Sequence, residues 1–224
     1  MQRSRFWTLA PEDADADGIA ASQKPGAAGN LTLAGTMMDA GKVTFDMPRR
    51  IAIASDADDT GRTFTITGVD RNGNVQSEEL AGPDTASVTS LKDYGTGPLA
   101  VSIDGAATGN ITVGTAAALS TPWFIVDRYD NNGIGFQVSK LAGTFAGKIE
   151  VTAEEPFPIT QGGGNINPKG APYLTPVALT DYDNLSADAI GSVRNITAIR
   201  FTLTNFSSGG SQKFSVAPNS LGRP

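Results

Sequence analysis

Residues 62–69 read RTFTITGV, and their alternation fixes the class of structure this chain can form. Phe64 and Ile66 fall on one side while Thr63, Thr65 and Thr67 fall on the other. Side chains repeat every two residues only in an extended strand, and threonine on the opposite face marks a strand half in water. The same pattern recurs along the chain. KVTFDMP at 42–48 sets Val43, Phe45 and Met47 against Thr44 and Asp46, and RRIAIAS at 49–55 offers Ile51 and Ile53. Asn72-Gly73 is a strong hairpin signal and predicts that 62–69 pairs with about 75–81. Two more short strands are predicted near 98–104 and 110–114.

Pro122 breaks the pattern, and alternation then resumes at Trp123–Val126, Phe136/Val138 and Ile149/Val151. Ile199, Phe201 and Leu203 face one way with Arg200, Thr202 and Thr204 the other. Ser208-Gly209-Gly210 then leads into Phe214 and Val216, which predicts a closing hairpin. Helix signals amount to one turn within 183–195, capped by Asn184 or Ser186 and interrupted by Gly191. The expectation is therefore an all-β protein, an antiparallel β-sandwich or jelly-roll-like fold with little helix. Its segments are an N-terminal arm at 1–30, a β-sandwich module at 31–118, and a second at 119–224. A long Gly/Pro-rich loop at 157–174 interrupts the second module.

Among its 224 residues the chain has neither histidine nor cysteine. That excludes Ser-His-Asp and Cys-His chemistry, the usual zinc sites, and disulfides. Carboxylate chemistry and oxygen-ligated cations remain. The net charge of −6 and the lack of basic clusters with interleaved aromatics argue against a nucleic-acid partner. The start has no apolar signal-peptide core, and no run approaches the ~20 apolar residues that cross a bilayer, so no membrane partner is expected.

The acidic motifs invite a metal and then argue against one. Asp13, Asp15, Asp17 and Gly18 match the first half of a calcium loop, but Lys24 stands where a bidentate Glu must close the shell. SDADDTG at 55–61 and DRYDNNG at 127–133, with Asp127, Asp130, Asn131 and Asn132, are also what tight turns require. Glu78-Glu79 and Glu154-Glu155 are strand neighbours that point to opposite faces, so neither pair flanks a glycosidic bond by itself. Gly162–Gly164 lacks the Lys-Ser/Thr of a phosphate loop. No catalytic residue, cofactor or metal is expected. The candidate partner-binding residues are Arg3, Arg5, Phe6 and Trp7, two cations with two large aromatics, of the type favoured as interface anchors. The alternative is that Phe6 and Trp7 fold back onto the chain's own core.

Two stretches, residues 61–115 and 121–157 with ITAIRFTLTN after them, resemble the small all-β virion proteins of tailed bacteriophages. The resemblance implies a structural, non-enzymatic role on the outer surface of the capsid, as in decoration or cement proteins, after synthesis in the host cytoplasm. It implies the major capsid protein as partner and, from the three-fold positions of icosahedral shells, a homotrimer. A tail or fibre component, including a host-glycan-binding module, is the alternative.

Overall fold

The computed structural model describes residues 4–126, 134–153, 176–194 and 196–218. It divides into two units. One is continuous, Asp13–Leu119, and is called the inserted unit; the other joins Met1–Glu12 to Ser120–Pro224 and is called the split unit. Both are built from antiparallel strands, and one 3-10 turn, Thr180–Tyr182, is the helical element among the described residues. The all-β expectation is borne out.

In the inserted unit one four-stranded sheet runs in the order Gly29–Asn30, Ala100–Ile103, Thr63–Val69, Val75–Ala81. A second runs Ala20–Gln23, Ile111–Thr115, Ile51–Ser55, Ser87–Thr89, and a small three-stranded sheet adds Gly97–Pro98, Lys42–Val43 and Met38–Asp39. The alternating positions named above supply the core: Ile51, Ile53, Phe64, Ile66, Val101, Ile111 and Val113 are completely buried in one cluster. Tyr94 is buried in it too and donates its hydroxyl to the Ile66 carbonyl at 3.4 Å. Burial, with the nearby charge of Glu78, raises its pKa. The 70–74 hairpin forms as predicted. Gly73 takes φ 83°, and Asp70 accepts the Asn72 and Asn74 amides at 2.7 and 2.9 Å.

The split unit is a sandwich. Its first sheet has the order Arg5–Leu9, Ser211–Pro218, Ile134–Ala142, Ala189–Val193. The second has Ala198–Phe206, Phe145–Thr152 and Val177–Ala178, with Phe124–Ile125 also pairing Ala198–Phe206 and Ser120, the end of the strand Leu119–Ser120, at its margin. Aromatic rings lock the sheets together, Phe201 lying 5.9 Å from Phe214 and Trp7 6.3 Å from Phe124 between centroids.

Four expectations need correction. The strand before Ser208 and the strand after Gly210 are both present, but they do not form a hairpin: Ala198–Phe206 pairs with Phe145–Thr152, and Ser211–Pro218 pairs with Arg5–Leu9 and Ile134–Ala142. Phe201 and Phe214 therefore meet face to face across two sheets, and the connection is an arch. The Gly143 turn makes a second arch between the same two sheets, with the Ser207 amide donating to the Thr144 carbonyl and the Thr144 amide to Ser207 Oγ, both at 2.9 Å. Next, residues 1–30 are no separate arm. Arg5–Leu9 is a strand of the split unit, while Ala20–Gln23 and Gly29–Asn30 are edge strands of the inserted unit, secured by buried Leu9, Ile19, Ala20 and Leu31. The division into 1–30, 31–118 and 119–224 gives way accordingly to Asp13–Leu119 inserted into the split unit. Finally, 189–193, placed in a helical turn, is a strand whose Gly191 passes against the Tyr182 ring, where a Cβ would lie 2.5 Å from the hydroxyl. The 157–174 loop lies outside the described residues.

Candidate partner-binding surface

Strand geometry separates the predicted anchors. Arg3 lies outside the described residues. Arg5 is exposed at the sheet edge. Trp7, half-buried, turns inward, stacked on Phe214 at 5.9 Å and edge-on to Phe124. Phe6, its neighbour, faces the other way and is 67% exposed, with Lys213 Nζ 4.7 Å from its ring centroid. Cation and ring attract each other through the ring quadrupole, which orients Phe6 without covering it.

The register shows what surrounds Phe6. Phe6 faces Ser215, Ser215 faces Gln137, and Gln137 faces Ile190, one row across all four strands. Ile190 is 75% exposed at the far end. The next row carries Thr8, Lys213 and Ser139. The outward face is thus a floor of small and polar side chains with a large apolar group at each margin. The sequence reading missed Ile190 because 183–195 was taken as helical; in the strand register its exposure follows at once.

A second constellation, also missed, lies on the other sheet. Glu150 faces Arg200 and Lys148 faces Thr202, on the side opposite Ile149 and Phe201. Arg200 Nε donates to Glu150 Oε2 at 2.7 Å, Thr202 Oγ1 donates to the same oxygen at 2.7 Å, and Lys148 Nζ lies 2.9 Å from Oε1. The guanidinium sits 4.5 Å over the Trp123 ring. Glu150, Arg200 and Thr202 are all buried. Burial alone would raise the Glu150 pKa, but the Arg200 charge and the hydrogen bonds from Lys148, Thr202 and Arg200 bring it below the ordinary value. A carboxylate held ionised, with both oxygens occupied, is a poor general acid or base. This cluster joins strands. Its signal in the sequence was the Lys148/Glu150 alternation on Phe145–Thr152 opposite Arg200 and Thr202.

The acidic turns also spend their oxygens on the protein. Asp59, buried, accepts the Ser55 hydroxyl at 2.6 Å and the Thr108 and Gly109 amides at 2.7 and 3.1 Å. Burial opposes its ionisation, yet these donors hold its pKa below the usual value. Asp56 is lowered by the Asn110 side chain and amide, and Asp58 by the Thr60 hydroxyl and amide. Asp15 accepts the Asp17 amide and the Thr36 hydroxyl, both at 3.3 Å. Among the described residues no three acidic groups gather to hold a metal. The 127–133 motif, Glu154-Glu155 and Gly162–Gly164 lie outside the described residues.

No protein-family model matches the chain, and neither does the sequence of any characterised protein. Two solved structures of infectious bursal disease virus are similar to it. The Gt strain structure aligns at 10% identity over all of this chain and 74% of that chain, with a TM-score of 0.22. The Gx strain structure gives 12% identity with the same coverage and TM-score. Superpositions that loose carry no argument, so any functional reading rests on the chain's own surface.

Proposed function

We propose that this chain is a non-enzymatic structural protein of a virion, and that it attaches to the outer surface of a tailed-phage capsid, bridging subunits of the major capsid protein. One observation carries the reading: the outward face of the first sheet in the split unit, where Phe6 and Ile190 stand exposed at the margins of a floor of small and polar side chains, with Lys213 beside Phe6. Large apolar side chains held out by rigid strands suit docking on a folded partner. Each such contact is weak, but repeated copies on a shell add their effects and raise the cost of opening it. A glycan-binding role fits less well. The two tryptophans are engaged internally, Trp7 with Phe214 and Trp123 with Arg200, so neither offers a free stacking platform.

Immunogold labelling with antibody against the purified chain, on virions of the phage that encodes it, should mark heads. Labelling confined to tails, or absent from particles, overturns the reading. A Phe6→Ser/Ile190→Ser variant should keep its far-ultraviolet circular dichroism and lose attachment; undiminished attachment removes this face from the account.

A further inference from the structure

We propose that two copies of the chain associate edge to edge, the strand Arg5–Leu9 pairing antiparallel with its counterpart about a two-fold axis at Trp7. An antiparallel edge strand spends alternate N–H and C=O groups on its neighbour and turns the rest outward. Among the described residues Arg5–Leu9 is the terminal strand of its sheet and pairs on one side, with Ser211–Pro218. Its five-residue register is unbroken by a bulge, it contains no proline, and Arg5, Phe6 and Thr8 are exposed. Proline and a bulge are two devices by which folded proteins close an edge, and this strand has neither; its one charge is Arg5.

The opposite edge is treated differently. The Tyr182 hydroxyl donates to the Ile190 carbonyl at 3.3 Å, and the Tyr182 ring lies edge-on to Phe136 at 4.9 Å and against Gly191. A sheet with one open edge and one capped edge selects its mode of association. Head-to-tail rings joined through strand edges need two open edges, so the three-fold ring expected from capsid symmetry cannot close this way. A two-fold pairing uses the same edge twice. Full overlap of the five residues occurs in a single register: Trp7 opposite Trp7, Phe6 opposite Thr8, and Arg5 opposite Leu9 of the second copy. Charge agrees with that register. It sets the two Arg5 cations at opposite ends of the seam, each facing an uncharged Leu9, so no like charges meet.

The chain has no cysteine, which makes the register directly testable. Facing residues on paired strands have Cα atoms about 4.5–5.5 Å apart, within the disulfide range of about 4.4–6.8 Å. Phe6→Cys and Thr8→Cys are made separately in the full chain, with circular dichroism confirming that each folds. Oxidation of an equimolar mixture should give a mixed crosslinked dimer several-fold more abundant than the dimer from either variant alone, because like positions sit two residues out of register. Equal yields from mixture and single variants overturn the proposal. So does sedimentation velocity of the unaltered chain if it shows monomer alone up to about 1 mM, the concentration at which even a weak specific pair associates.

Discussion

Arg200→Met and Glu150→Leu, singly and together, test whether the buried cluster of the split unit is a coupled pair. Removing Glu150 alone leaves the Arg200 guanidinium, 5% exposed, without its carboxylate; removing Arg200 alone leaves Glu150, 3% exposed, with one strong donor fewer. The first lesion strands a buried charge, for which the expected cost is about 3–5 kcal/mol; the second leaves Glu150 its Lys148 and Thr202 contacts and should cost less. Together the substitutions remove both charges. Lys148, its side chain 28% exposed, can then turn to water, and Thr202 keeps the Ser120 hydroxyl at 3.0 Å. The double variant should therefore be far less destabilised than the sum, with a coupling energy of about 2–3 kcal/mol. Both tryptophans belong to the split unit, so urea unfolding followed by tryptophan fluorescence reads that unit's transition. The folded pKa of Glu150 is depressed, so its contribution is present above the unfolded value and lost as pH falls through the folded one. Below about pH 4 the unaltered chain should lose stability that the double variant never had. Additive costs within about 0.5 kcal/mol would refute the coupling and, with it, the reading of these residues as one structural unit.

Gln212 is fully buried with neither amide nitrogen nor oxygen hydrogen-bonded, so Gln212→Met should stabilise the split unit by about 1–2 kcal/mol in the same assay. Gly143→Ala should destabilise it by at least about 1–2 kcal/mol. The residue has φ 65°, and an added Cβ would lie 2.6 Å from Gly210 Cα in the adjoining arch. Asp59→Ala strips the acceptor from the Thr108 and Gly109 amides and should cost the inserted unit about 2–4 kcal/mol, read by calorimetry. Its depressed pKa means that this contribution holds above the ordinary aspartate range and fades as pH falls through the folded value. Exchanging calcium for chelator should leave the melting transition in place, and a shift of many degrees would reveal a metal role for the acidic turns.

Strand positions were legible because burial on one face imposes a two-residue period that nothing else imitates over several residues. The hairpin at Asn72-Gly73 was legible because the turn itself demands a positive φ and a short connection. Pairing across the other turns was not. Ser208-Gly209-Gly210 and Leu141-Ala142-Gly143 carry the same turn residues whether the chain folds back beside itself or crosses to a facing sheet. The choice depends on where Phe201, Phe214 and Phe145 find partners, which is a property of the whole sandwich. The first thirty residues misled for a related reason. Their Ala, Asp and Gly content cannot repay ordering in isolation, but existing sheet edges offer ready backbone partners, and a few residues such as Leu9 and Ile19 supply the burial. Of the proposed anchors, the period-two geometry that identified the strands elsewhere would also have parted Phe6 from Trp7. Glu150 and Arg200 were hidden because polar residues alternating with apolar ones look the same whether water or protein covers them.

The insertion of Asp13–Leu119 between the first strand and the rest of the split unit sets an order of events on the ribosome. The inserted unit has every residue it needs before the sheet partners of Arg5–Leu9 have been made. Its strands can close while the chain is still growing, since domains fold as units during synthesis. Arg5–Leu9 must then wait for Ser211–Pro218, far along the sequence, and has no sheet partner while the intervening segment is made. Closure over so long a span would be entropically costly in a free coil, but a folded insert shortens the flexible path between the two ends. A ribosome stalled before residue 211 would therefore hold a finished inserted unit while Trp7 still lacked Phe214, leaving uncovered an aromatic surface of the kind that chaperones bind.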